Sequence, residues 1–123
     1  MPPTRRTDMG TRSLTFTYDR DGEKIMCLYR QYDGYPEGHG TDLAEILNNT
    51  ESNGMECLSA SIVAKLKTGA YNIYLYPTSV GDCGQEYEYH IYKDRVEIYG
   101  YATFTGTYQE FQKFCINQSR KVG

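Results

Sequence analysis

A chain of 123 residues with 39% hydrophobic and 24% charged residues fits one domain with a single modest core, and excludes two independent cores. The net charge is −3; Arg5, Arg6 and Arg12 against Asp8 leave the first twelve residues at +2 and the rest at −5, which argues against a duplex-DNA binder with a phosphate-neutralising face. No apolar run approaches the ~20 residues of a membrane span, so no membrane partner is expected.

Residues 1–12 are polar and aperiodic, and are read as a flexible N-terminal tail before a single domain over 13–118. Leu14, Phe16 and Tyr18 alternate with Ser13, Thr15 and Thr17, the pattern of a half-buried strand. After the turn Asp19-Arg20-Asp21-Gly22, residues 23–30 carry apolar side chains on both faces, as a central strand does, and complete an antiparallel hairpin.

The run Tyr29 to Gly40 then packs Arg, Asp, Glu, His, tyrosines, glycines and a proline into twelve residues. Thr41 is the expected N-cap of a short helix over 42–48, with Leu43, Ile46 and Leu47 on its apolar stripe. Asn53 and Glu56 have the spacing of a capping box for a second helix, whose inner face is Met55, Leu58, Ile62, Val63 and Leu66 and whose stop is Gly69. Strands are predicted over 70–76, 85–92 and 95–105, with a loop over 78–84. Thr107 and Glu110 form a capping box opening a last helix, with Tyr108, Phe111, Phe114 and Cys115 inward; residues 119–123 are read as frayed. The order ββααβββα describes an α+β domain: a five-stranded, mostly antiparallel sheet with three helices.

Thirteen tyrosines stand against four phenylalanines and no tryptophan. Tyrosine suits both a sheet with one wet face and a recognition surface, and both readings stay open. The cysteines at 27, 57, 83 and 115 form no C-x-x-C pair, and the N-terminus has no secretory pattern, so reduced thiols of a cytoplasmic protein are expected.

Core packing does not ask for the mixture in the run over 29–40, so a site is expected there. Gly34, Gly38 and Gly40 would permit positive φ and close backbone approach, the following helix N-terminus would favour an anion, and Arg30 would add a fork of donors. His39 titrates near neutral pH, with Asp33 placed to orient it. The plainer reading is a rigid turn built on Asp33-Gly34 and Pro36. A second constellation runs from Asp82 to His90, with Glu86, Glu88 and His90 on one strand face. It is either a solvated face or the other wall of one pocket, with tyrosines stacking a base and Gln85 bonding it. The ligand-binding set is then Arg30, Asp33, Tyr35, His39, Gln85, Tyr87 and His90. No metal site is expected, since the strongest ligands lack ligand spacing, and no cofactor motif is present.

Leu28-Tyr29-Arg30-Gln31-Tyr32-Asp33-Gly34-Tyr35-Pro36-Glu37-Gly38-His39-Gly40 followed by Leu43-Ala44-Glu45, together with Asn72-Ile73-Tyr74-Leu75-Tyr76-Pro77 and Asp82-Cys83-Gly84-Gln85-Glu86-Tyr87-Glu88-Tyr89, resemble a family of small proteins from phages, prophages and other bacterial genomes, mostly of unassigned function. The resemblance spans roughly 14–115 and implies a viral or mobile-element origin. By analogy it implies an accessory, anti-defence binding protein of the host bacterial cytoplasm that captures a nucleotide-like anion or a host defence protein, with homo-oligomerisation open. Two other readings stand beside it: a small hydrolase or nuclease using His39 with Asp33, and a structural virion component.

Overall fold

Strand β1 (Ser13–Tyr18) has all six residues buried, so it is not the half-wet strand its alternation suggests. A polar set on a buried strand needs partners. Thr15 meets His39 and Thr17 meets Ser59, each at 2.7 Å. The computed structural model describes residues 10–122, and its elements follow in chain order as β1, β2 (Lys24–Arg30), a π-helical turn (Pro36–Gly40), α1 (Thr41–Asn49), α2 (Met55–Leu66), β3 (Ile73–Tyr76), β4 (Tyr87–Ile91), β5 (Val96–Gly100), β6 (Phe104–Gly106) and α3 (Tyr108–Val122).

The sheet is six-stranded and mixed, in the order β3-β2-β1-β4-β5-β6. This corrects the expected five-stranded, mostly antiparallel sheet in two ways. First, β1 and β4 pair parallel, Leu14 opposite Glu88 and Phe16 opposite His90, while every other neighbouring pair is antiparallel. A parallel pair needs a long connection, here the whole stretch from β2 through the π turn, α1 and α2 to β3. Second, the return strand over 95–105 breaks after Gly100, whose φ is +122°. A Cβ there would lie 2.1 Å from the Glu86 carbonyl oxygen, so only glycine lets the chain turn this close to the start of β4.

All three helices cover one face of the sheet. The main core joins Leu28, Tyr89, Ile91 and Ile98 of the sheet to Leu43, Leu47, Leu58, Ile62, Phe111 and Cys115 of the helices. Burying each large aliphatic or aromatic side chain contributes about 1.5–3 kcal/mol. On the other face Leu14, Phe16, Tyr18, Cys27 and Tyr29 form a smaller core, closed by Val80 and Cys83 of the β3–β4 loop and by Tyr76 and Tyr92. One sheet therefore separates two sets of contacts.

The helix ends follow the sequence unevenly. Thr107 and Glu110 form the expected reciprocal cap on α3, at 3.1 and 2.8 Å. Helix α2 instead starts at Gly54, φ +94°, with no side-chain cap, so the Asn53–Glu56 box does not form. Thr41 lies inside the helical turns rather than capping them, because the π turn runs directly into α1. Residues 10–12, assigned from sequence to the tail, are tied to the sheet: Gly34 N–H donates to the Thr11 carbonyl, Glu86 N–H donates to the Arg12 carbonyl at 3.0 Å, and Arg12 N–H donates to the Glu86 carboxylate at 2.7 Å. The rest of the expected tail, residues 1–9, lies outside the described residues. Backbone helix continues through the segment expected to fray as far as Val122, with Gly123 outside the described residues.

Candidate functional site

The run over 29–40 folds as a tight cover on β1 and α3. Asp33 takes a left-handed conformation, φ 62°, which Asp tolerates better than most residues. None of Gly34, Gly38 and Gly40 has positive φ; they are needed for room instead. A Cβ would come within 2.8 Å of Ser13 from Gly34, 2.7 Å of the Asp33 carbonyl from Gly38, and 2.7 Å of Cys115 Sγ from Gly40. The amides expected to meet an anion are already spent. His39 N–H donates to the Asp33 carbonyl at 2.8 Å, and those of Gly38 and Gly40 donate to the Tyr35 carbonyl. The anion-ready helix N-terminus is therefore not formed.

His39 is fully buried beneath this cover. Its Nδ1 lies 3.2 Å from Arg30 NH1, and a guanidinium only donates, so Nδ1 is the acceptor. Nε2 then carries the proton and donates to Thr15 Oγ1 at 2.7 Å. Burial, reinforced by the Arg30 charge, pushes the imidazole down to about 3, so it stays neutral. Asp33 does not orient it: the Asp33 carboxylate accepts from the Tyr35 hydroxyl at 3.0 Å, and burial, followed by this bond, raises the Tyr35 phenol. The expected His39–Asp33 acid–base pair is absent.

Arg30 is the residue this arrangement serves. Its Nε donates to the Tyr32 carbonyl at 2.8 Å, and NH1 faces both His39 and the Asp42 carboxylate, the latter at 3.4 Å. NH2 makes no hydrogen bond with any described residue. The guanidinium lines a cleft of about 470 Å³ together with Asp42, Glu45, Ile46, Asn49 and Thr50 on the α1 side, and Lys65, Leu66, Thr68 and Asn72 from α2 and the turn after it. That is within the usual size range of small-molecule sites.

The other predicted residues do not join Arg30 there. Tyr87 lies on the helix-covered side, its ring edge-on to Tyr101, and burial followed by the Glu37 charge raises its phenol. Gln85 and His90 lie across the sheet in a separate network. Gln85 Nε2 donates to Glu88 Oε2 at 2.8 Å, and His90 Nε2 donates to Glu88 Oε1 at 3.0 Å. The Tyr18 hydroxyl closes it by donating to His90 Nδ1 at 2.6 Å, while Phe16 stacks on the same ring. Burial pushes Glu88 up, but the hydrogen bonds from Gln85 and His90 outweigh it and hold the carboxyl below its usual value. The single pocket expected from Arg30, Asp33, Tyr35, His39, Gln85, Tyr87 and His90 is thus split by the sheet, and no tyrosine lines the Arg30 cleft.

Sequence reasoning missed Glu45, Lys65, Thr68 and Asn72. Asn72 is structural as well, donating to the Leu66 carbonyl at 2.6 Å and accepting from Thr68 N–H at 3.1 Å, which shapes the cleft rim. The only signal in the chain is that residues 42, 45 and 49 repeat at helical spacing on the polar side of α1.

Among the described residues no helix is long and apolar enough to cross a membrane, and no group of three or more His, Cys, Asp or Glu is placed to hold a metal ion. Cys27 and Cys115 are buried, Cys83 is half-buried and Cys57 exposed, all as free thiols. Comparison of the chain with protein-family models, with curated proteins and with solved structures gives no match.

Proposed function

We propose that this is a small binding protein that captures a nucleotide-like anionic ligand in the Arg30 cleft. By the resemblance of its motifs, it is also proposed as a phage-type accessory or anti-defence factor of the host bacterial cytoplasm. One observation carries the reading: Arg30 lines a cleft of about 470 Å³ while its own geometry is held from behind by a buried, neutral imidazole. A donor fork pre-set in this way loses little entropy when an anion arrives. Ile46 and Leu66 supply an apolar floor, and Lys65 supplies a second positive charge. Binding is favoured over turnover because His39 has no path to a substrate; it acts through Arg30, as a positioning residue.

A second reading, capture of a host protein, draws on the free edge of the sheet. Among the described residues β3 pairs only with β2, and Tyr71, Tyr74 and Leu75 stand exposed on and beside it. Such an edge can accept an added strand.

Incubation with a nucleotide-metabolite panel, then mass spectrometry of what is retained and released on denaturation, tests the proposal. Unchanged ligand retained by the wild type and lost in Arg30→Ala is the expected result. A chemically altered product would refute sequestration in favour of an enzyme, and no retention at all would move the reading to a protein partner.

A further inference from the structure

Two charged groups in the cleft are unspent. Asp42 is paired with Arg30, but the side chains of Glu45 and Lys65 make no hydrogen bond or ion pair with any described residue. Both are exposed, one on α1 and one on the last turn of α2, and both line the same cleft. Each therefore reaches a ligand without first breaking an internal pair.

The positions sort the ligand's chemistry. Along α1 the cleft runs from Asp42 to Asn49, about 10 Å at 1.5 Å per residue. Arg30 lies beside Asp42 at its start. A phosphate is repelled by Glu45 and by Asp42, and attracted by Lys65 and by Arg30, whose NH2 makes no hydrogen bond with any described residue; it therefore sits on the Lys65 side of the guanidinium, away from Asp42. A carboxylate in the remaining stretch selects for N–H donors. Two adjacent donors match its two oxygens best, as in the fork-to-fork pairing of guanidinium with carboxylate. Ile46 and Leu66, both almost fully buried, form the apolar part of the cleft floor on which a flat ring would rest.

We propose that Glu45 is a specificity-determining residue: it accepts from the paired ring and exocyclic N–H groups of a guanine-type base, while Lys65 and Arg30 take the phosphate. This rests on the reading of the cleft as a nucleotide site. Uracil presents one N–H flanked by two carbonyl oxygens, which repel the carboxylate, so the cleft discriminates against it.

Calorimetric titration of the full chain with inorganic phosphate and with guanosine, adenosine, cytidine and uridine monophosphates tests this. Guanosine monophosphate is expected to bind at least about tenfold tighter than uridine monophosphate, the size of a single good base contact. Glu45→Gln should reduce that preference to within about threefold and leave phosphate affinity unchanged or slightly higher; Lys65→Gln should weaken all four nucleotides alike. Glu45 is exposed and makes no internal side-chain bond, so the variant folds as the parent does, and circular dichroism verifies it. Equal affinity for the four nucleotides, or a preference that survives Glu45→Gln, overturns the assignment to Glu45 while the cleft reading stands. Absence of any nucleotide binding, or binding that Arg30→Ala does not weaken, overturns the cleft reading and this inference with it.

Discussion

Arg30 NH1 lies 3.2 Å from Nδ1 of His39, a positive charge held against a wholly buried imidazole. The contact persists only while the ring is neutral, because a protonated ring would present a second donor to a donor. The residue that reads from sequence as the chemical centre of its loop is thus the support of its neighbour.

His39 should give the fold an acid-sensitive stability. The unfolded imidazole titrates at 6.5 and the folded one at about 3, so between these values the unfolded chain binds the extra proton. Stability is therefore full above pH 6.5 and declines as pH falls toward 3, by about 1.4 kcal/mol per pH unit. Glu88 and Glu97, both held below 4.5, add their own loss only under that value. Urea unfolding at a series of pH values should show the slope in the wild type. It should be largely gone in His39→Gln, whose amide still accepts from Arg30 and donates to Thr15. His39→Ala should lose about 2–4 kcal/mol at neutral pH, through a cavity and two unpaired polar groups. An unchanged slope in His39→Gln would refute the assignment.

Arg30→Lys keeps the charge but not the geometry. An ammonium cannot face the Tyr32 carbonyl, His39 and Asp42 at once from one planar fork. We expect ligand affinity to fall by about tenfold, with at most about 1 kcal/mol of stability lost. Calorimetric titration alongside denaturant unfolding separates the two effects; full affinity in Arg30→Lys would show that charge alone suffices.

Gly40 faces Cys115, and its φ of −61° suits any residue, so only space forbids a side chain there. Gly40→Ala should cost about 1–3 kcal/mol by overpacking. Adding Cys115→Ala should recover part of that cost, because removing the sulfur frees the volume. Unfolding midpoints of the two single variants and the double variant form a cycle, and strict additivity would rule out the direct clash.

Alkaline pH should unfold the protein through its tyrosines. Burial raises the phenols of Tyr18 and Tyr89 and pushes that of Tyr108 up to about 12, while unfolded tyrosine titrates near 10. Their contribution is complete below pH 10 and is lost as pH rises past it, since the unfolded chain then releases protons the folded one keeps. Following phenolate absorbance, a group of tyrosines should ionise together with the loss of circular dichroism. Smooth titration of every tyrosine before unfolding would contradict the burial.

Local patterns in the chain determined a good deal: the class, three helices, the first hairpin, and the reciprocal cap of Thr107 and Glu110. These depend on periodicity and capping chemistry, which act within a few residues. The β1–β4 pairing depended instead on which buried faces meet across seventy-odd residues of chain, and alternation names a strand without naming its neighbour. That pairing sets Gln85 and His90 on the face away from Arg30. It also turns the polar side of β1 inward, where Thr15 buries His39. Glu45 and Lys65 come from separate helices, and only the packing of α1 and α2 over the sheet brings them to one cleft.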